Sequence, residues 1–333
     1  MSFRRLPVRF AGLLALTSLT AAVAEAFGPQ LIAQTKIIAL DSIVDRSHGA
    51  VKWSHGAFLY ADLGAGGVPP TFYTLDRDGR LLSSATASIP GSADVSLGDF
   101  DRRDDSSIVF IGEAHSVYGQ PVPFIALISA DGRTERVIRT APYNANMLGL
   151  APDGTFWTLG YEMVGRNVSA PELNPDAGVL RHFDRAGRLL GSSGPQSQFV
   201  KLYTARRLGA GYIAATRSRI GWYAPFWGKG GQYVEIDSNS MTRHSYPGLP
   251  DLSTGSLVLS FNLTEAGNAF LSVYDDASER STTFMFDRAA LKWLPIKGPG
   301  TIISPGSQLI GVDGEDIVSF ESRNSVSFFR LPH

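Results

Sequence analysis

The 333-residue chain contains no cysteine. That excludes disulfides, thiol catalysis, cysteine-ligated zinc and a lipid anchor, which needs a cysteine at its attachment point. Charge of one sign is lacking too: 30 Lys+Arg face 31 Asp+Glu, and charged residues make up only 18%. A balanced chain offers no basic face to a phosphate backbone, so nucleic acid is not an expected partner. Beyond the first residues no apolar stretch is long enough to span a bilayer. Past residue 35 there is almost no helical periodicity. A hydrophobic share of 44% nonetheless suffices for a sizeable core and is incompatible with a disordered chain.

The start of the chain reads as a targeting segment. Arg4, Arg5 and Arg9 precede an uncharged run from Phe10 to Ala24, and Ala22-Val23-Ala24 and Ala24-Glu25-Ala26 are small-x-small cleavage patterns. Residues 1–26 are therefore expected to be a signal peptide cleaved near Ala24 or Ala26, 27–35 a linker, and 36–333 one domain. The mature protein is expected in the periplasm or secreted, monomeric and without stable membrane insertion.

What the chain has in abundance is turns between short strands, with 35 Gly and 19 Pro. Two hairpins recur. The first shows in Leu148-Gly149-Leu150-Ala151-Pro152-Asp153-Gly154-Thr155-Phe156-Trp157, an apolar strand, a turn and an aromatic strand. The second shows in Val179-Leu180-Arg181-His182-Phe183-Asp184-Arg185-Ala186-Gly187-Arg188-Leu189-Leu190. Copies of the second turn around Gly79, Gly132, Gly187, Asn239 and Ala289, about fifty residues apart. First hairpins precede each copy, with one more at 308–320. The fourth is placed at Leu202–Leu208 with Gly211–Ala214, which leaves 217–231 as a loop. The last repeat lacks one strand, Val326–Leu331 supplies its third, and an unassigned strand, Lys36–Leu40, lies upstream of the first repeat. The fold expected is all-β: a six-bladed β-propeller of four-stranded antiparallel blades, with the ring closed by the N-terminal strand in the last blade.

In such a ring the turns within hairpins lie on one face and the links between hairpins on the other. The turns are short and uniform, whereas the links of blades one to four are long and individual, so a site is expected on the link face. Its candidates are Glu113, His115 and Tyr118 from blade two, and Tyr161, Glu162 and Arg166 from blade three. Blade four contributes Arg217, Arg219, Trp222, Tyr223 and Trp227. Large aromatics beside arginines suit a protein, peptide or glycan ligand; folded inward, the same aromatics would instead plug the top of the channel as a local core. Glu113 with His115 has the makings of an acid and a base or of metal ligands, and Glu162 with Arg166 of a surface ion pair. His182 reads as a packing residue beside Phe183. The six histidines show no metal-ligand spacing, and the carboxylates at Asp99, Asp101, Asp104 and Asp105 are interleaved with Arg102 and Arg103, which disfavours calcium. Asn167-Val168-Ser169 and Asn262-Leu263-Thr264 match the glycosylation acceptor.

The repeat, Pro152-Asp153-Gly154-Thr155-Phe156-Trp157 followed by Phe183-Asp184-Arg185-Ala186-Gly187-Arg188-Leu189-Leu190, resembles the blades of the six-bladed propeller superfamily of gluconolactonase-like, NHL-repeat and streptogramin-lyase-like proteins. The resemblance spans 36–333 and implies architecture, not activity. Gluconolactonase-like members carry a metal-binding Glu on the first inner strand, where this chain reads Ser47-His48-Gly49-Ala50-Val51-Lys52-Trp53. The expectation is thus a non-catalytic binding protein without a cofactor. The alternative is a lactonase-like hydrolase or lyase at the channel mouth, with calcium or another divalent metal as an optional cofactor.

Overall fold

The computed structural model describes residues 33–40, 44, 49–63, 68–115, 119, 121–164, 172–195, 212–224, 231–249, 256–296, 308–321 and 325–330. Every element in them is a strand, and the strands form six antiparallel sheets in a ring. Blade one runs outward from the channel as Gly49–Ser54, Ala57–Asp62, Thr71–Leu75 and Leu81–Thr86. Blade two is Asp94–Arg102, Ile108–His115, Val122–Ile128 and Thr134–Arg139. Blade three is Tyr143–Leu150, Phe156–Val164, Gly178–Phe183 and Leu189–Pro195, with a short extra strand, Glu172–Leu173, paired to the far end of its second. Blade four is Tyr212–Ala215, Arg219–Ala224, Gln232–Asp237 and Arg243–Pro247. Blade five is Leu257–Leu263, Ala269–Asp275, Arg280–Asp287 and Lys292–Pro295. Blade six takes Gln308–Asp313, Asp316–Glu321 and Ser325–Arg330 from the end of the chain and its outermost strand, Ala33–Ala39, from the beginning.

The expected closure is therefore present, with Lys36 opposite Phe328 and Ile38 opposite Val326. The strand begins at Ala33, inside the segment read as linker. No helix among the described residues is long and apolar enough to cross a membrane.

Second strands are buried on both faces and read as apolar runs, as in Ala57–Ala61, whereas outermost strands such as Leu81–Thr86 are mostly exposed. Among the described residues the core is divided into six clusters, one at each blade interface. Phe72, Phe100 and Phe110 join blades one and two, and Tyr143, Leu148 and Ile125 join two and three. Trp157, Ile213 and Trp222 join three and four. Tyr223, Tyr233 and Phe261 join four and five, and Phe270, Leu309 and Phe329 join five and six. Trp53, Phe58, Phe320 and Phe328 close six onto one, with the Trp53 and Phe328 rings edge to face at 4.9 Å. His182 packs as expected, its ring stacked on Trp157 at 3.9 Å.

Blade four departs from the sequence reading. Tyr212–Ala215, taken there as the second strand, is the innermost one. The segment read as the start of a loop, Arg219–Ala224, is the second strand. Leu202–Leu208 lies outside the described residues. Gly221 in that strand marks close packing, since a Cβ there would lie 2.7 Å from the Phe261 ring.

An ion pair ties the outer layers of blades four and five. Glu235 is buried, Arg288 Nη1 donates to its Oε2 at 2.9 Å, Arg288 Nη2 and the Tyr233 hydroxyl donate to its Oε1, and Arg288 Nε reaches Gly267 O at 3.1 Å. Burial works against the Glu235 charge, but the bonds from Arg288 and Tyr233 outweigh it and hold the carboxyl below its ordinary value of 4.5. The unfolded chain thus takes up this proton first as pH falls, and the stability the pair contributes above pH 4.5 is lost as pH drops from there through the folded value. In urea unfolding, the gap in stability between the native chain and Glu235→Gln is expected to narrow as the pH is lowered through this window. A gap independent of pH would contradict the assignment.

Candidate functional site

Two places bring polar chemistry together, at opposite ends of the inner strands. The first is on the link face, where blades two and three meet. Glu113 stands near the end of blade two's second strand and accepts a hydrogen bond from Asn144 Nδ2 at 2.6 Å, across the blade interface. The same Nδ2 lies 3.4 Å from the Tyr161 hydroxyl at the end of blade three's second strand. Burial pushes the Tyr161 hydroxyl up, and the Glu113 charge adds to this. Glu113, Asn144 and Tyr161 are all half-buried. The pair expected of Glu113 with His115 is not formed: His115 Nε2 instead meets Ser96 Oγ at 3.0 Å.

Glu162 has two partners among the described residues, and its expected pair with Arg166 falls outside them. Its partners are Arg181 Nη2 at 2.6 Å and Asn174 Nδ2 at 2.8 Å, so the carboxylate fastens the long link of blade three to the sheet. Arg181 in turn lies over the Tyr143 ring, 3.8 Å from its centroid. Tyr118, Arg166 and Trp227 lie outside the described residues.

The described blade-four candidates do not join this cluster. Trp222 and Tyr223 are 3% and 0% exposed, as core residues of a strand. Arg217 and Arg219 flank the turn of the first hairpin, on the opposite face, where the Arg217 amide reaches Glu265 Oε1 at 3.3 Å.

The second place is the channel. Lys52, on blade one's inner strand, donates to Asp99 Oδ1 at 3.2 Å and Phe100 O at 3.1 Å, with Asp101 Oδ2 at 3.8 Å. Asp99 Oδ2 accepts the Leu148 amide of blade three at 2.8 Å, and its Oδ1 accepts the Phe100 amide. Burial works against the Lys52 charge, but Asp99 and Asp101 outweigh it and hold the ammonium above the usual lysine range. One lysine and one aspartate so connect three inner strands. Ser54 Oγ to Arg102 O at 3.1 Å and the Tyr212 hydroxyl to Val258 O at 2.5 Å add similar links from blade one to two and four to five.

Asp99 is aimed by a β-bulge. The inner strands of blades two, three, five and six each carry one, the first between Leu97 and Asp99. Opposite it, a Cβ on Gly112 would lie 2.1 Å from Ser96 O. Below this group, toward the turn face, the channel widens into a cavity of about 270 Å³ whose lining includes Lys52, Asp101, Phe261, Asn262, Asp313 and Glu265. Asn262 of the second glycosylation pattern thus faces the channel, and Asn167 of the first lies outside the described residues. Among the described residues no three His, Asp or Glu side chains converge as a metal site.

Neither Lys52 nor Asn144 stands out in the sequence. The signals available were a lysine in an inner strand and a glycine opposite the bulges of blades two and three, both intelligible only once the register is known.

No protein-family model matches the chain, and no curated protein matches it. Among solved structures it is similar to a prolyl endopeptidase, at 15% identity and TM-score 0.43 over 97% of this chain and 53% of that one. It is similar to the β-propeller domain of the Trilobed protease from Pyrococcus furiosus, at 12% identity and TM-score 0.43 over 74% of this chain and 67% of that one. It is also similar to an exo-β-1,3-galactanase from Phanerochaete chrysosporium, at 11% identity and TM-score 0.48 over 84% of this chain and 72% of that one. At these identities the likeness is one of fold, and no substrate or reaction passes to this chain from it.

Proposed function

We propose that the protein is an exported, monomeric, non-catalytic propeller that binds a protein, peptide or glycan segment on its link face, at the junction of blades two and three. The observation that carries the reading is the Glu113–Asn144–Tyr161 chain, which crosses a blade interface with every member half-buried. A phenol ring beside a carboxylate and an amide offers a stacking surface together with donors and acceptors for sugar hydroxyls or peptide groups. The extra strand Glu172–Leu173 lengthens blade three on this face, and the bond from Asn174 to Glu162 ties the end of the link to the sheet. A positive start, an apolar run and small-residue cleavage patterns support export.

Probing a glycan array and a displayed peptide library with the purified protein tests the reading. The selected ligands are expected to bind Tyr161→Ala and Asn144→Ala at least about tenfold more weakly, a difference of about 1.4 kcal/mol or more. Arg217→Ala, on the turn face, is expected to bind as the native chain does. Weakening by Arg217→Ala alone, or a screen that yields no ligand, would overturn the proposal.

A further inference from the structure

We propose that the cavity at the turn end of the channel is a second binding site, for a small hydroxylated amine of monosaccharide size. The charge lining it decides the class of ligand. Lys52, the ammonium in its wall, donates to Asp99 and Phe100 O and faces Asp101 at 3.8 Å, so two carboxylates already answer its one charge. Asp99 is equally filled, by Lys52 and the Phe100 and Leu148 amides. Asp101 is only 8% exposed; its Oδ1 takes the Arg102 amide and its Oδ2 stands 3.8 Å from Lys52, so it retains acceptor capacity toward the cavity. Glu265 and Asp313 line the same space. Arg77 meets Asp313 at 2.7 Å from the exposed rim, and His55 is held by Asp104. Carboxylates therefore outnumber the cations that answer them, and the cavity favours a positive ligand.

The neutral groups add the second requirement. Asn262 lines the cavity part-exposed, and its amide is a hydrogen-bonding partner for a hydroxyl of the ligand. Leu148, Ile213 and Phe261 supply an apolar wall for the carbon skeleton. At about 30 Å³ per water, the 270 Å³ of the cavity holds one monosaccharide and a few waters. An ammonium for the carboxylates, a hydroxyl for Asn262 and a compact ring for the apolar wall together describe an amino sugar or an amino alcohol.

Glucosamine, glucose and glucuronate present one ring with positive, neutral and negative charge, and calorimetric titration compares them. Glucosamine is expected to bind, glucose at least about tenfold more weakly and glucuronate not at all. Asp101→Asn is expected to weaken glucosamine about tenfold, and Asn262→Leu to weaken it as well. Asn262→Leu lies away from Lys52 and carries the test should Asp101→Asn fail to fold. Tyr161→Ala, on the other face, is expected to leave glucosamine binding unchanged, which separates this site from the one on the link face. Equal affinity for glucose and glucosamine, binding that survives both substitutions, or no binding of glucosamine or ethanolamine at millimolar concentration would overturn the proposal.

Discussion

Removal of Ala33–Ala39 is expected to unfold the whole ring at markedly lower urea concentration, rather than trim one blade. The strand is the outermost one of blade six, yet it also reaches blade one. Ile38 is 4% exposed and shares a core cluster with Trp53 and Phe58 of blade one and Phe320, Val326 and Phe328 of blade six. Lys36 Nζ donates to Arg77 O of blade one at 2.7 Å. A Cβ on Gly79 would lie 2.2 Å from Ala39 O, so the turn of blade one is fitted against the strand backbone. Deletion removes the ladder to Ser325–Arg330, the burial of Ile38 and the seam between first and last blades together. At about 2 kcal/mol for a buried isoleucine and 0.5–1.5 kcal/mol per hydrogen bond, the loss is about 4 kcal/mol or more. That is roughly 6 °C in Tm for a chain of this size. The bared edge of Ser325–Arg330 also becomes a template for aggregation. Ile38→Asp, which places an unpaired charge in the same seam, is expected to act in the same direction. A native midpoint for both variants would contradict the closure as a source of stability.

Asp99→Ala has the second large expected effect, a loss of about 3 kcal/mol, because it strands a lysine in the channel wall. Lys52 and Asp99 side chains are 26% and 17% exposed, so neither is well solvated once its partner is gone. The loss has two parts, which double substitution separates. Lys52→Met with Asp99→Leu removes both charges and is expected to recover the share due to the stranded ammonium. It does not recover the share due to the Leu148 amide, which still lacks its acceptor. Stability of the double variant is therefore expected between that of Asp99→Ala and the native chain. A cost for Asp99→Ala below about 1 kcal/mol, the range of an exposed pair, would contradict the stitching role.

Ring closure was legible in the sequence because the last repeat lacked a strand and an unassigned one lay upstream. Blade four was misread for a physical reason. Ile220, Gly221, Trp222 and Tyr223 are all buried, so the strand shows no alternation, and its glycine and the following proline imitate a loop. The link-face cluster was half legible. Glu113 and Tyr161 stand out in long links, but Asn144, which joins them, sits in a strand whose register the sequence does not reveal. Asp99 and Asp101 read as turn carboxylates for a similar reason: the bulge at Gly98 that turns Asp99 toward Lys52 is a property of the pairing, not of the residues.

Hydrogen exchange with and without a ligand selected on the glycan array or from the peptide library tests the binding account most directly. The account predicts slowed exchange at residues 113–115, 143–146 and 161–164, with the turns at His55–Gly56 and Gly314 unchanged. Protection confined to those turns, with 113–115 and 161–164 unaffected, would contradict it.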